Sequence, residues 1–175
     1  MEGLGNDAER LLTLSGKASE AIQMITSGIT TYQSTGSRVY LPFFLSHLSR
    51  AHAGLGQFDV AWRCIGEAMA AVETTNERWY EAEINRIKGE IALKLPQLGS
   101  SQAGAYFERA LSVARTQQAK SWELRAAMSM ARLWRDQGKR NEARELLAPV
   151  YGWFTEGFDT RDLKEAKALL EKSAC

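Results

Sequence analysis

Thr75-Asn-Glu-Arg-Trp-Tyr-Glu-Ala-Glu-Ile-Asn-Arg-Ile-Lys-Gly-Glu90 begins as a turn, passes through an aromatic pair and continues into an amphipathic helix. Tyr80, Ile84, Ile87, Ile91 and Leu95 recur at the i, i+4, i+7 spacing of one helix face. The same design stands on either side. Thr35-Gly-Ser-Arg-Val-Tyr40 lies 40 residues earlier, and Gln117-Gln-Ala-Lys-Ser-Trp122 lies 42 later. Each copy sets a base (Arg38, Arg78, Lys120) two residues before an aromatic (Tyr40, Tyr80, Trp122). Recurrence near 40 residues is the signature of a helical repeat array.

A second recurrence runs between these stretches. Gly16-Lys-Ala-Ser-Glu-Ala21 matches Gly56-Gln-Phe-Asp-Val-Ala61 and Gly138-Lys-Arg-Asn-Glu-Ala143, and Gly99-Ser-Ser-Gln-Ala103 is one residue shorter. A glycine that closes one helix can take the left-handed conformation, and the polar residue after it is expected to cap the next helix. From these alanines the following helices align without gaps. Ala21, Ala61, Ala103 and Ala143 share a position. Ile25, Ile65, Phe107 and Leu147 share the next, then Gly28, Ala68, Ala110 and Val150. Ile29, Met69, Leu111 and Tyr151 follow, then Tyr32, Val72, Ala114 and Phe154. In the other helix of each pair, Ser49, Gly89 and Ala131 mark a small position where two helices can touch. A face that alternates small and large in this way is covered only by stacking on neighbours.

The pattern predicts helices near 18–34, 38–55, 58–75, 78–95, 100–118, 120–137 and 140–155. Pro42 falls in a first turn, where proline is tolerated. Pro96 is expected to end a helix, and Pro149 to kink the one that contains it. Asp159-Thr-Arg-Asp162 is expected to cap a last helix near 160–173, whose Leu163, Ala166, Leu169 and Leu170 form a single apolar stripe. The domain reading is a partial N-terminal helix in 1–15, helical repeats over 16–158 and a capping helix over 159–175. The fold expected is all-α, a right-handed solenoid of antiparallel helix pairs.

Composition narrows the function. The chain is 45% hydrophobic and 25% charged with net charge +1, so bulk electrostatics argues for neither nucleic acid nor membrane. No run reaches the roughly 18 apolar residues of a membrane helix, and no basic n-region followed by an apolar h-region opens the chain. Two cysteines, Cys64 within a helical pattern and Cys175 at the end, suit a reduced, cytoplasmic setting. His47 and His52 lack Cys or Glu at metal-ligand spacing. No P-loop, nucleophile elbow or dinucleotide fingerprint is present. No catalytic residue, cofactor or metal is therefore expected.

The helix pairs, with the Ala103, Phe107 and Ala110 pattern and a small residue at the helix crossing, resemble the tetratricopeptide repeat family. The departures are a period near 40 instead of 34 and the lack of a closing proline, features similar to maltose-regulator-like activators. Glu77-Arg-Trp-Tyr-Glu-Ala-Glu-Ile-Asn-Arg-Ile-Lys-Gly-Glu90, Gln117-Gln-Ala-Lys-Ser-Trp-Glu-Leu-Arg-Ala-Ala127 and Leu147-Ala-Pro-Val-Tyr-Gly-Trp-Phe-Thr-Glu-Gly-Phe-Asp-Thr160 resemble the C-terminal repeats of large bacterial signalling proteins. Those proteins carry a class III adenylate/guanylate cyclase or winged-helix output domain and a P-loop ATPase domain upstream. The resemblance covers roughly residues 15–172 and includes none of the catalytic domains.

It implies that the first helix of each pair lines a concave groove. The lining positions would be Phe43, Ser46, Arg50 and Ala53, then Glu83, Arg86, Glu90 and Leu93, then Arg125, Met128, Arg132 and Arg135. Five arginines against two glutamates make this surface mildly basic, and guanidinium forks suit carboxylate or phosphate. The alternative is a solvated face whose charges pair within the chain. The function expected is a non-catalytic module for protein–protein interaction or signal coupling, its partner a protein or peptide segment, with acidic character favoured by the arginines. A second reading is an effector sensor that binds a small molecule in the groove. A third is a homo-oligomerisation arm.

Overall fold

The computed structural model describes residues 18–172. These form eight helices: α1 (Ala18–Ser34), α2 (Leu41–Gly54), α3 (Phe58–Thr75), α4 (Glu81–Ala92), α5 (Gly99–Thr116), α6 (Lys120–Asp136), α7 (Arg140–Tyr151) and α8 (Arg161–Lys172). No strand occurs among the described residues, and none of their helices is long and apolar enough to cross a membrane. The helix expected in 1–15, the Gly16 turn and Cys175 lie outside them. The chain divides into two compact units, Met1–Tyr80 and Glu81–Cys175.

The turns follow the glycine pattern. Gly56 and Gly138 have φ of 75° and 81°. Beyond them the Gln57 amide donates to the His52 carbonyl at 3.0 Å and the Lys139 amide to the Trp134 carbonyl at 2.8 Å. These are the six-to-one bonds of a helix closed by a left-handed residue. The expected polar caps do not form. Gln57 and Lys139 make no side-chain cap bond, and Gln57 Oε1 instead meets His52 Nδ1 at 2.7 Å. Thr160 likewise sends its hydroxyl back to the Gly157 carbonyl at 2.7 Å. Lysine has no acceptor to offer a helix N-terminus, and Gln57 and Thr160 turn their side chains to local partners.

Three helices are shorter than the sequence pattern suggests. α2 and α4 start at Leu41 and Glu81 because the base–X–aromatic stretches are turns that precede them. The Tyr40 carbonyl accepts from the Phe44 amide at 3.0 Å, so Tyr40 is the entry residue and Pro42 sits in the first turn. α4 stops at Ala92, four residues before Pro96. Lys94 and Leu95 close onto Ile91 and Ala92 with i→i−3 bonds at 2.9 and 3.2 Å. The ring of Pro96 disfavours helical backbone at Leu95, and the chain tightens before it. Pro149 lies in the last turn of α7, which ends at Tyr151 instead of continuing to 155.

In the first unit α2 packs on both α1 and α3. Fully buried Ser49 donates its hydroxyl to the Ala61 carbonyl at 2.7 Å, which fixes the crossing of α2 and α3. In the second unit α4 packs on α5 and α6, α6 also on α5, α7 and α8, and α7 on α8. A Cβ added at Gly89 would collide with the Phe107 ring and stand 3.1 Å from the Ala103 carbonyl oxygen, so α4 and α5 touch there through backbone and ring. The aligned positions Ala61, Ile65, Ala68, Val72 and Ala103, Phe107, Ala110, Ala114 are all at 0% exposure. Their α1 equivalents Ala21, Ile25 and Tyr32 are half-buried.

Candidate interaction surface

The residues assigned to a groove separate into buried and exposed members. α4 explains why. Every residue from Glu81 to Ile87 is buried, so this helix has no solvated face there and its charges must be paired. Glu83 receives two bonds from Arg86, Nε to Oε2 at 2.8 Å and Nη2 to Oε1 at 2.6 Å. Arg86 Nη1 also donates to Glu90. Ser129 of α6 ties in at 3.2 Å, its hydroxyl donating to Glu90 Oε1.

The α6 arginines reach across to α8. Arg125 Nε donates to Asp162 at 2.5 Å, and its Nη1 lies 3.9 Å from Glu83. Arg132 Nη2 donates to Glu165 at 2.9 Å, and Arg161 Nε reaches the same carboxylate at 2.7 Å. Burial works to raise the Glu165 carboxyl, but Arg161 and Arg132 outweigh it and hold the group below its ordinary range. Arg135 pairs with neighbouring Asp136 at 2.8 Å. Met128 is buried. In the second unit the predicted basic lining is therefore a charge ladder joining α4, α6 and α8.

The first unit differs. Ser46 is fully buried and donates to the Phe43 carbonyl at 2.7 Å; Arg50 and Phe43 are half-buried. Phe43 is the floor of an aromatic cluster. Its ring stacks on Trp79 at 5.9 Å and 27°. It meets Tyr80 edge-on at 5.0 Å and His47 at 4.4 Å. Tyr40 then stands against Trp79 at 5.7 Å and 75°. Tyr80 is buried, whereas Tyr40, Val39 and Trp79 remain 51%, 42% and 40% exposed. The turn that carries Tyr40 is pinned from α1. The Tyr32 hydroxyl accepts from the Ser37 hydroxyl at 2.6 Å and from the Tyr40 amide at 3.1 Å.

Sequence reasoning assigned Tyr40 and Tyr80 to one role and gave Trp79 none. The signal was the adjacent pair Trp79-Tyr80. Neighbouring residues entering a helix point about 100° apart, so only one of them can lead the buried stripe. The arrangement presents the side chains of Tyr40 and Trp79 to solvent. The Cys64 thiol is buried and pushed up, by burial first and by Glu67 second, which suits packing and not nucleophilic attack.

No protein-family profile matches the chain, and no curated protein sequence does. Solved structures do. A variant of nearly identical TPR-like repeats, designated a kinesin light chain from Podosopora anserina, superposes with a TM-score of 0.68 at 16% identity, over 97% of this chain and 82% of that one. A second structure of those repeats gives 0.66 at 17% identity, over 99% and 87%. At this identity the likeness shows the fold alone: an all-helical, TPR-like repeat.

Proposed function

We propose that this chain is a non-catalytic helical-repeat module that binds a protein segment, or couples a signal, within a bacterial ATPase- or cyclase-type signalling protein. The observation that supports binding is the exposed aromatic platform of Tyr40 and Trp79, set on Phe43 at one of the positions assigned to the groove. Repeat scaffolds use such extended surfaces for recognition, and exposed clustered aromatics mark interaction sites. The parent context is supported by the resemblance of residues 77–90, 117–127 and 147–160 to the repeats of those regulators.

The test is site-specific photocrosslinking in the protein at its natural expression level. A benzophenone amino acid at Tyr40 is expected to capture a defined protein segment, in the parent chain or in a partner. The same probe at exposed Glu171 is expected to capture none. No specific adduct at Tyr40, together with stabilisation of the protein by a metabolite, would replace this reading with that of a small-molecule sensor.

A further inference from the structure

We propose that the Tyr40–Trp79 platform receives a proline-rich segment, in polyproline II conformation, that carries carboxylates beside its prolines. The proposal rests on the binding function above and names its ligand. Three recurring modes of peptide recognition can be weighed against the surface. Strand addition needs a sheet edge, and the described residues contain no strand. A helix laid in a groove needs anchors over several turns, whereas the platform is three rings wide: Tyr40, Trp79 and the Phe43 beneath them. The third mode sets a polyproline segment on aromatic rings. Its backbone stays solvated and proline lacks an amide donor, so it asks no backbone partner of an all-helical protein.

Two further features fit this occupant. The rings are held before binding: Trp79 is stacked on Phe43 and braced by Tyr40, and the Tyr40 turn is fastened by Tyr32. Ordered rings meeting an ordered ligand lose little conformational freedom on association. Arg38, two residues before Tyr40, is exposed and forms no ion pair among the described residues. Arg78, next to Trp79 in the sequence, is drawn to Glu73 at 3.1 Å. Arg38 therefore selects a carboxylate on the bound segment, through steering and specificity more than raw affinity.

The test is calorimetric titration of the intact protein with three synthetic peptides. One is Asp-Asp followed by six prolines, the second replaces Asp-Asp by Lys-Lys, and the third keeps Asp-Asp but alternates Gly and Ser. The first is expected to bind about tenfold tighter than either of the others, the scale of one good anchor. Tyr40→Ala, an exposed position, should lower its affinity about tenfold with helicity unchanged by circular dichroism. Arg38→Glu should invert the preference between Asp-Asp and Lys-Lys. If the Gly-Ser peptide binds as well as the proline peptide and still responds to Tyr40→Ala, the proline assignment is overturned while the peptide-binding function stands. If no peptide binds and the Tyr40 crosslinks are also lacking, both are overturned.

Discussion

Gln118 occupies the turn position that Gly56 and Gly138 hold elsewhere, and adopts φ of 54°. The closing bond is the same, Ala119 amide to Ala114 carbonyl at 2.9 Å. A side chain in the left-handed region costs about 1 kcal/mol or more, so Gln118→Gly is expected to stabilise by roughly 0.5–1 kcal/mol after the added chain entropy of glycine. A rise in melting temperature checks it. Two other glycines give opposite signs for one substitution. At Gly89 the new Cβ meets Phe107 and the Ala103 carbonyl, so Gly89→Ala should destabilise by about 1–3 kcal/mol through overpacking. At Gly28, inside α1, nothing lies within 4 Å of that Cβ, and Gly28→Ala should stabilise by roughly 0.5–1 kcal/mol from helix propensity. The three melts together separate backbone conformation from packing. The glycine turns were legible in the sequence because φ near +75° leaves few alternatives to glycine. The polar caps were not, because the side chain of Lys139 has no acceptor to offer a helix amide and that of Gln57 turns to His52.

Among the elements, α4 departs furthest from its sequence pattern. Tyr80, Ile84, Ile87 and Ile91 read as one buried stripe, and they are buried. Glu83 and Arg86, read as groove-lining positions, are buried too, and so are Glu81 and Asn85. Periodicity reports which residues prefer the core; it does not count the neighbours a helix will have. Here α5 and α6 both pack on α4, and ion pairs replace water around its charges. Glu83→Ala should therefore cost about 3 kcal/mol, the lower end for breaking a buried pair, since Glu90 still holds one arm of Arg86. Denaturant titration reads this directly; a loss under about 1 kcal/mol would make Glu83 a surface residue in energetic terms. α8 is the converse case. Of its expected stripe, Leu163, Ala166 and Leu169 are buried and Leu170 is half-buried, and its polar face supplies Asp162 and Glu165 to the α6 arginines. Removing residues 159–175 takes away both contributions. The truncated protein is expected to melt at lower temperature and to aggregate, as light scattering during the melt would show.

Across the molecule, 22 basic and 21 acidic side chains nearly balance, and in the second unit the arginines that suggested a basic groove are balanced locally as well. Arg86, Arg125, Arg132 and Arg135 each have a carboxylate partner. Sequence spacing could place these arginines on first helices but could not show that the next helix would meet them with Asp162 and Glu165. The exposed aromatic platform was hidden for a related reason, since an aromatic that leads a helix reads as core wherever it points. The ladder makes acid the condition that most tests the fold. At Glu123 burial acts to raise the pKa, but hydrogen bonds from Lys120 at 2.7 Å and Arg115 at 2.9 Å prevail and lower it; Glu165 is lowered in the same way. A carboxylate held below its ordinary value favours the folded state at every pH above the unfolded value of 4.5, and the advantage fades as pH falls through the depressed folded value. Protonation of the remaining acids then leaves the 22 bases unopposed, and self-repulsion adds to the loss. The melting temperature is therefore expected to change little between about pH 7 and 5 and to fall steeply below about 4.5. The double variant Glu123→Gln, Glu165→Gln should melt lower than wild type at neutral pH yet lose less on acidification, whereas Glu171→Gln, at an exposed site on α8, should track wild type throughout. Parallel acid slopes for the double variant and wild type would show that the ladder does not set the acid limit and that general charge repulsion does.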